Sequence, residues 1–219
     1  MVPGLALFYG GMVRAKNALN MLNMNMWCLG IVPVVWVLLG WSLASGASGR
    51  WWLGDLSVVG LKGVHDVESL ASFGFLMTFA CITPALISGA VADRMKFSAW
   101  MVFVPIWSLV VYAPFVYLIY GADGWIFNLP AHDFAGGTAI LVNAGAAALA
   151  LAIVLGKRSG WPQNRPAPHN VPFVMLGAGI LWFGWFGFNA GSALAANGTA
   201  AQAFVNTFIA AASGMVAWM

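Results

Sequence analysis

The sequence predicts an all-α fold, a polytopic bundle of membrane-spanning helices, and three observations carry this. The 219-residue chain is 62% hydrophobic and only 7% charged, against about 25% charged residues in an average soluble domain. Its mean hydropathy is +0.87. Its polar residues fall between apolar runs of about 20 residues, the length that crosses a bilayer as a helix. Helices and closed barrels are the only structures that satisfy every backbone polar group within lipid. No stretch between the runs is long enough for a soluble domain of useful size.

The runs follow in order. The first, 2–13, is followed by Arg14 and Lys16; the second, 18–44, contains Pro33; the third, 70–92, contains Pro84. Then come 98–120, 134–156, 171–194 and 201–219. The first run rises only about 18 Å as a helix, too little for a hydrocarbon core of about 30 Å. The last run stops at the chain end without a flanking loop. Both features predict a partial sequence. No charged segment precedes the first apolar run, so no signal peptide is expected.

Orientation follows from the lysines and arginines. The first, third and fifth loops hold Arg14, Lys16, Arg94, Lys96, Lys157, Arg158 and Arg165; the even loops hold only Arg50 and Lys62. This places the N-terminus outside and the odd loops in the cytoplasm. The second loop, "GASGRWWLGDLSVVGLKGVHDVESL", and the fourth, "GADGWIFNLPAHD", then face outward. The spans carry no Asp, Glu, Lys, Arg or His at mid-depth, which is unusual for an ion-coupled pump.

Composition also excludes several functions. The net charge is +3, and the basic residues sit in short separated loops rather than on one face, so no nucleic-acid partner is expected. Cys28 and Cys81 lie inside apolar runs and read as small buried side chains rather than a disulfide or metal site. His65, His132 and His169 all fall in loops and read as surface residues, and no pair has metal-ligand spacing. No phosphate-binding glycine loop or nucleophile elbow is present, so the chain is read as no enzyme, without cofactor or metal. The lipid bilayer is its expected surrounding.

Gly4-x-x-x-Phe8-Tyr9-Gly10-Gly11 in the first run is echoed by Gly184-x-x-x-Phe188-Asn189-Ala190-Gly191 in the sixth. Five spans apart, the second copy would be inverted, and inverted repeats place substrate sites at their interface. The echo is weak by itself, because glycine is common in membrane helices.

Longer stretches are more specific: "PGLALFYGGMVRAKNALN" at 3–20, "FACITPALISGAVADRMKFSA" at 79–99, "DFAGGT" at 133–138, "GWFGFNAGSALAAN" at 184–197 and "AFVNT" at 203–207. In this order they resemble the ammonium transporter family (the Amt, Mep and Rh proteins), specifically its bacterial Amt branch, over essentially the whole chain. The resemblance implies eleven helices arranged as two inverted five-helix repeats plus a last helix. Residues 1–156 would be the first repeat, its first helix truncated, and residues 157–219 the start of the second. It further implies a homotrimer in the cell (inner) membrane, ammonium and methylammonium as substrates, and a PII-type nitrogen regulatory protein as a cytoplasmic partner.

Carried over position by position, the resemblance places an ammonium-recruiting site at Phe75, Phe79, Tyr120 and Ser192. Phe79 and Phe188 would stack as a gate, Trp185 would line the pore, and Asp133 would organise the outer vestibule. Tyr120 stands where the best-known members have tryptophan. In the family pattern a histidine follows the threonine of Asp-Phe-Ala-Gly-Gly-Thr by three places; here that position is Leu141, about 12 Å below Asp133 along a helix. Leucine neither accepts a hydrogen bond nor relays a proton. Three explanations stand open: a transporter with a more hydrophobic pore, an ammonium-binding sensor or non-conducting member, or an engineered or sequence-level change.

The residues support part of this independently. Phe75 and Phe79 are four apart and share a helix face; a packing stripe would look the same, but Thr83 on roughly that face favours an inward orientation. An aromatic face attracts a small cation by about 0.5–2 kcal/mol per ring, and a hydroxyl such as Ser192 can accept one of its hydrogen bonds. Asp133 precedes an apolar helix and so reads first as an N-cap, with cation contact as the alternative. Asn143 reads as bundle glue. Gly136, Gly137, Ala144, Gly145 and Ala146 read as close helix packing.

Overall fold

The computed structural model describes residues 1–47, 50–158, 160–161, 163 and 167–219; Arg165, counted among the odd-loop cations, lies outside them. Among the described residues the chain is all-helical, without a strand. Its apolar helices are α1 (Val2–Met12), α2 (Ala15–Ser45), α3 (Val67–Val91), α4 (Phe97–Tyr120), α5 (Gly137–Leu155), α6 (Val171–Gly191) and α7 (Gly198–Trp218). All except the short α1 are long and apolar enough to cross a membrane.

Polar caps set three of the helix starts. Asp66 accepts the Ser69 N–H at 2.7 Å, Asn170 that of Phe173 at 3.0 Å, and Asn197 that of Ala200 at 3.0 Å. Each satisfies a backbone donor that the first turn leaves free. This is why α3 begins ahead of the apolar run at 70 and α7 ahead of the one at 201. The Ser69 backbone and hydroxyl also hold the exposed Asp66 carboxyl below the usual carboxylate range.

Interior prolines mark the irregular turns. Pro33 and Pro105 are followed by π turns at Trp36–Gly40 and Ser108–Tyr112, and Pro84 by a 3-10 turn at Ser88–Val91. Proline removes one helical hydrogen bond and crowds the preceding turn, so the ladder changes register nearby.

The core gathers Trp36, Trp100, Tyr112, Phe79 and Met24, all essentially inaccessible. Its polar atoms join helices: the Trp100 indole donates to the Met24 carbonyl at 2.8 Å, and the Asn25 amide donates to Ser88 Oγ at 3.2 Å. Cys28 and Cys81 are free thiols buried in this core.

α1 and α6 run antiparallel and meet backbone to backbone. A Cβ placed on Gly177 would lie 2.4 Å from Phe8 N and 2.5 Å from the Gly4 carbonyl oxygen, whereas one on Gly179 would meet nothing within 4 Å. Gly177→Ala is therefore expected to cost about 1–3 kcal/mol by forced separation of the helices, and Gly179→Ala very little. Thermal unfolding in detergent reads the difference; equal melting temperatures would remove the close approach as a determinant of stability.

The first, third and fifth loops meet at one end of the bundle. Arg14 Nε donates to Asp93 at 3.2 Å, Asn17 donates to the same carboxylate, and Arg94 donates to the carbonyls of Gly156 and Ala90. His169, read from sequence as a plain surface residue, is exposed but has Nδ1 2.9 Å from the Val13 carbonyl oxygen. At the opposite end the second and fourth loops touch, with Trp125 N–H donating to the Trp51 carbonyl at 3.0 Å.

α5 departs from its sequence reading in three ways. The helix begins at Gly137 rather than 134, because Gly136 takes a left-handed φ of 87° that turns the chain. Of the small residues read as close packing, Gly136 and Ala144 are buried, but Gly145 and Ala146 are exposed, and a Cβ on Gly137 or Gly145 would meet nothing within 4 Å. The Asn143 amide bonds its own helix at the Ala139 carbonyl, 3.4 Å away, rather than a neighbouring one. An i−4 back-bond is an available partner for any such side chain in a helix, so no second helix is needed.

Candidate functional site

α3 supplies the first wall. Phe75 and Phe79, one turn apart, have ring centroids 4.7 Å from each other. One turn further on, the buried Thr83 hydroxyl donates to the Phe79 carbonyl at 2.6 Å and is also a hydrogen-bond partner of the buried Tyr112. α6 supplies the opposite wall. Its Phe188 stacks on Phe79 with centroids 4.4 Å apart and planes inclined by 22°, the offset-stacked range that aromatic pairs favour. Trp185 lies 5.6 Å from Phe188 on the same helix.

Ser192 follows the end of α6. Its hydroxyl donates to the Phe188 carbonyl at 2.9 Å, which leaves the oxygen free to accept. Tyr120 closes α4, and its buried hydroxyl lies beside the Asp133 carboxylate. A cavity of about 490 Å³ brings these together: Phe75, Phe79, Tyr120 and Ser192 all line it, with His132 and Asp133.

Asp133 is held in a specific way. One carboxylate oxygen accepts the Gly136 N–H at 2.6 Å, and the other accepts those of Thr138 and Ala139 at 2.8 Å each. The left-handed Gly136 makes this possible by folding the chain back over the start of α5. Three orphan donors are satisfied at once, and a negative charge sits at the positive end of the helix.

Leu141 and Trp185 line a second cavity, a groove of about 680 Å³ between α5, α6 and α7. Phe79 borders the first cavity and Phe188 the second, so the stacked pair is the partition between them, while His132, Asp133 and Phe134 border both. The structure thus brings the four residues expected to recruit ammonium to one cavity and places Leu141 outside it.

Two features were missed in sequence. His132, read as surface, is exposed but stands at the rim of both cavities; its position next to Asp133 was the available signal. α7 presents Thr199, Gln202, Asn206 and Ala210 to the groove, at helical spacing that a periodicity reading could have found. Asn189 on α6 donates to Thr207 on α7 at 2.9 Å. Among the described residues no three His, Cys, Asp or Glu side chains gather as metal ligands.

The model of the Ammonium Transporter Family matches residues 1–219. The chain belongs to the ammonium transporter family. Over its whole length it is 49% identical to an ammonium transporter of Mycobacterium tuberculosis and 46% identical to one of Bacillus subtilis, covering 52% and 55% of those proteins. It therefore spans about half the length of the curated relatives it matches. A crystal structure of the N240A mutant of Candida albicans Mep2 superposes with a TM-score of 0.92 at 35% identity, covering 100% of this chain and 50% of that one. A structure titled "Sensor Amt Protein" superposes with a TM-score of 0.90 at 30% identity, covering 97% of this chain and 56% of that one. The chain is thus a multi-pass membrane protein of a transporter family, not of an enzyme family.

Proposed function

We propose that the full-length protein conducts ammonium nitrogen across the membrane: it captures ammonium in the aromatic cavity, strips a proton near the Phe79–Phe188 pair and passes ammonia beyond. The observation that carries this is the convergence of Phe75, Phe79, Tyr120 and Ser192 on one cavity, with Phe188 stacked on Phe79 behind it. Magnitudes favour deprotonation. Moving an unpaired cation into an apolar medium costs tens of kcal/mol in the Born limit, and two or three cation–π contacts return only a few. Releasing a proton at neutral pH costs about 4.6 kcal/mol, taking the lysine ammonium with its pKa of ~10.4 as a stand-in. The same site tolerates methylammonium.

The cavity end belongs to the outer surface, and the odd loops form the cytoplasmic end, available to a PII-type regulatory protein. The full-length protein assembles as a homotrimer in the cell membrane, residues 1–156 forming one repeat and residues 157–219 opening its inverted partner.

Leu141 supports a second reading, a sensor that binds ammonium and conducts poorly; the likeness to a structure titled as a sensor is consistent with it. Ammonium uptake into liposomes, with and without Leu141→His in the full-length protein, separates the two. A transporter with an apolar pore gives fast uptake in both forms. Uptake near zero until the histidine is restored assigns the protein to sensing or to a disabled pore.

A further inference from the structure

Deprotonating a captured ammonium ion needs an acceptor, and few side chains around the cavity can serve. Asp133 already accepts three backbone N–H groups, which leaves about one of its four acceptor sites open. Tyr120, Ser72 and Ser192 line the cavity as hydroxyls, which do not take up a proton at neutral pH. His132 also lines it, and imidazole is the side chain that ordinarily changes charge near neutrality. The same residue borders the groove on the far side of the phenylalanine pair and is exposed to solvent, so a proton it accepts has a way out to water.

We propose that His132 is the proton acceptor for ammonium captured in the aromatic cavity. The inference rests on the transport reading given above. In the step, one N–H bond of ammonium breaks and its electron pair stays on nitrogen as the lone pair of ammonia. The proton joins the free lone pair of the imidazole, forming imidazolium, and then passes to outside water, regenerating the neutral ring. Nothing is oxidised or reduced. Among the described residues lining the two cavities, the only other titratable groups are Asp133, from the loop before α5, and Tyr120, from α4; α3, α6 and α7 contribute none.

His132→Gln in the full-length protein tests this, since an amide can accept a hydrogen bond but not a proton. Ammonium uptake into liposomes is expected to fall about 10²-fold, the low end of what a positioned proton acceptor contributes. Methylammonium binding by calorimetry is expected to stay unchanged. Unchanged uptake, or a loss of methylammonium binding, would each overturn the proposal. A parallel Phe79→Leu arm separates the two levels: full uptake there defeats the recruiting reading itself, whereas lost uptake there beside normal uptake in His132→Gln defeats only the role of His132. If uptake with Leu141 is too slow to read, both variants are compared in the Leu141→His background.

Discussion

Phe79→Ala in the full-length protein is expected to abolish most ammonium uptake and to destabilise the bundle together. Phe79 is only 2% exposed and touches both Phe75 and Phe188 by ring contacts. Truncating a buried phenylalanine to alanine costs about 3–5 kcal/mol, so alanine alone would confuse folding with function. Phe79→Leu separates them, because it keeps much of the apolar volume and removes the aromatic face. Losing one cation–π partner of about 0.5–2 kcal/mol should weaken methylammonium binding roughly two- to thirtyfold, read by calorimetry, with a modest fall in melting temperature. A leucine variant that binds and transports like the parent would show that the recruiting step needs no aromatic at this position.

The second large effect is expected at Asp133. Asp133→Ala leaves three N–H donors of the α5 start without their acceptor. An unsatisfied donor costs about 1–3 kcal/mol when buried, and the half-exposed loop lets water recover part of it, so a total of about 2–4 kcal/mol is expected. Asp133→Asn keeps one acceptor oxygen and should fall between the parent and alanine. Melting temperature ranks the three; if alanine matches the parent, the cap contributes nothing to stability. Uptake measured beside it distinguishes capping from contact with the cation, since asparagine preserves much of the first and loses the charge needed for the second.

The spans were legible in the sequence because lipid imposes length and apolarity directly, and the Phe75–Phe79 face because helical spacing is local. The Phe79–Phe188 pair could not be read from spacing. Its members lie on different helices, far apart in the chain, and only the family resemblance suggested that they meet. The role of Asp133 as a helix cap was readable, but not the three-residue reach that the left-handed Gly136 creates. Gly145 and Ala146 misled because small residues signal close packing without naming the partner, and in this chain they face outward. The echo between the first and sixth runs hinted that α1 and α6 meet, but not where, since Gly4 and Gly177 differ in no local way from glycines such as Gly179 that touch nothing.

That meeting bears on how fast the aromatic partition can open. α6 carries Phe188, and the backbone contact at Gly177 pins the helix to α1. Opening by sliding α6 would tear this seam and belong to the μs–ms regime of collective helix shifts. Rotation of the Phe79 and Phe188 rings about their side-chain bonds would leave the seam intact, so an opening by that route falls on the faster timescale of side-chain jumps.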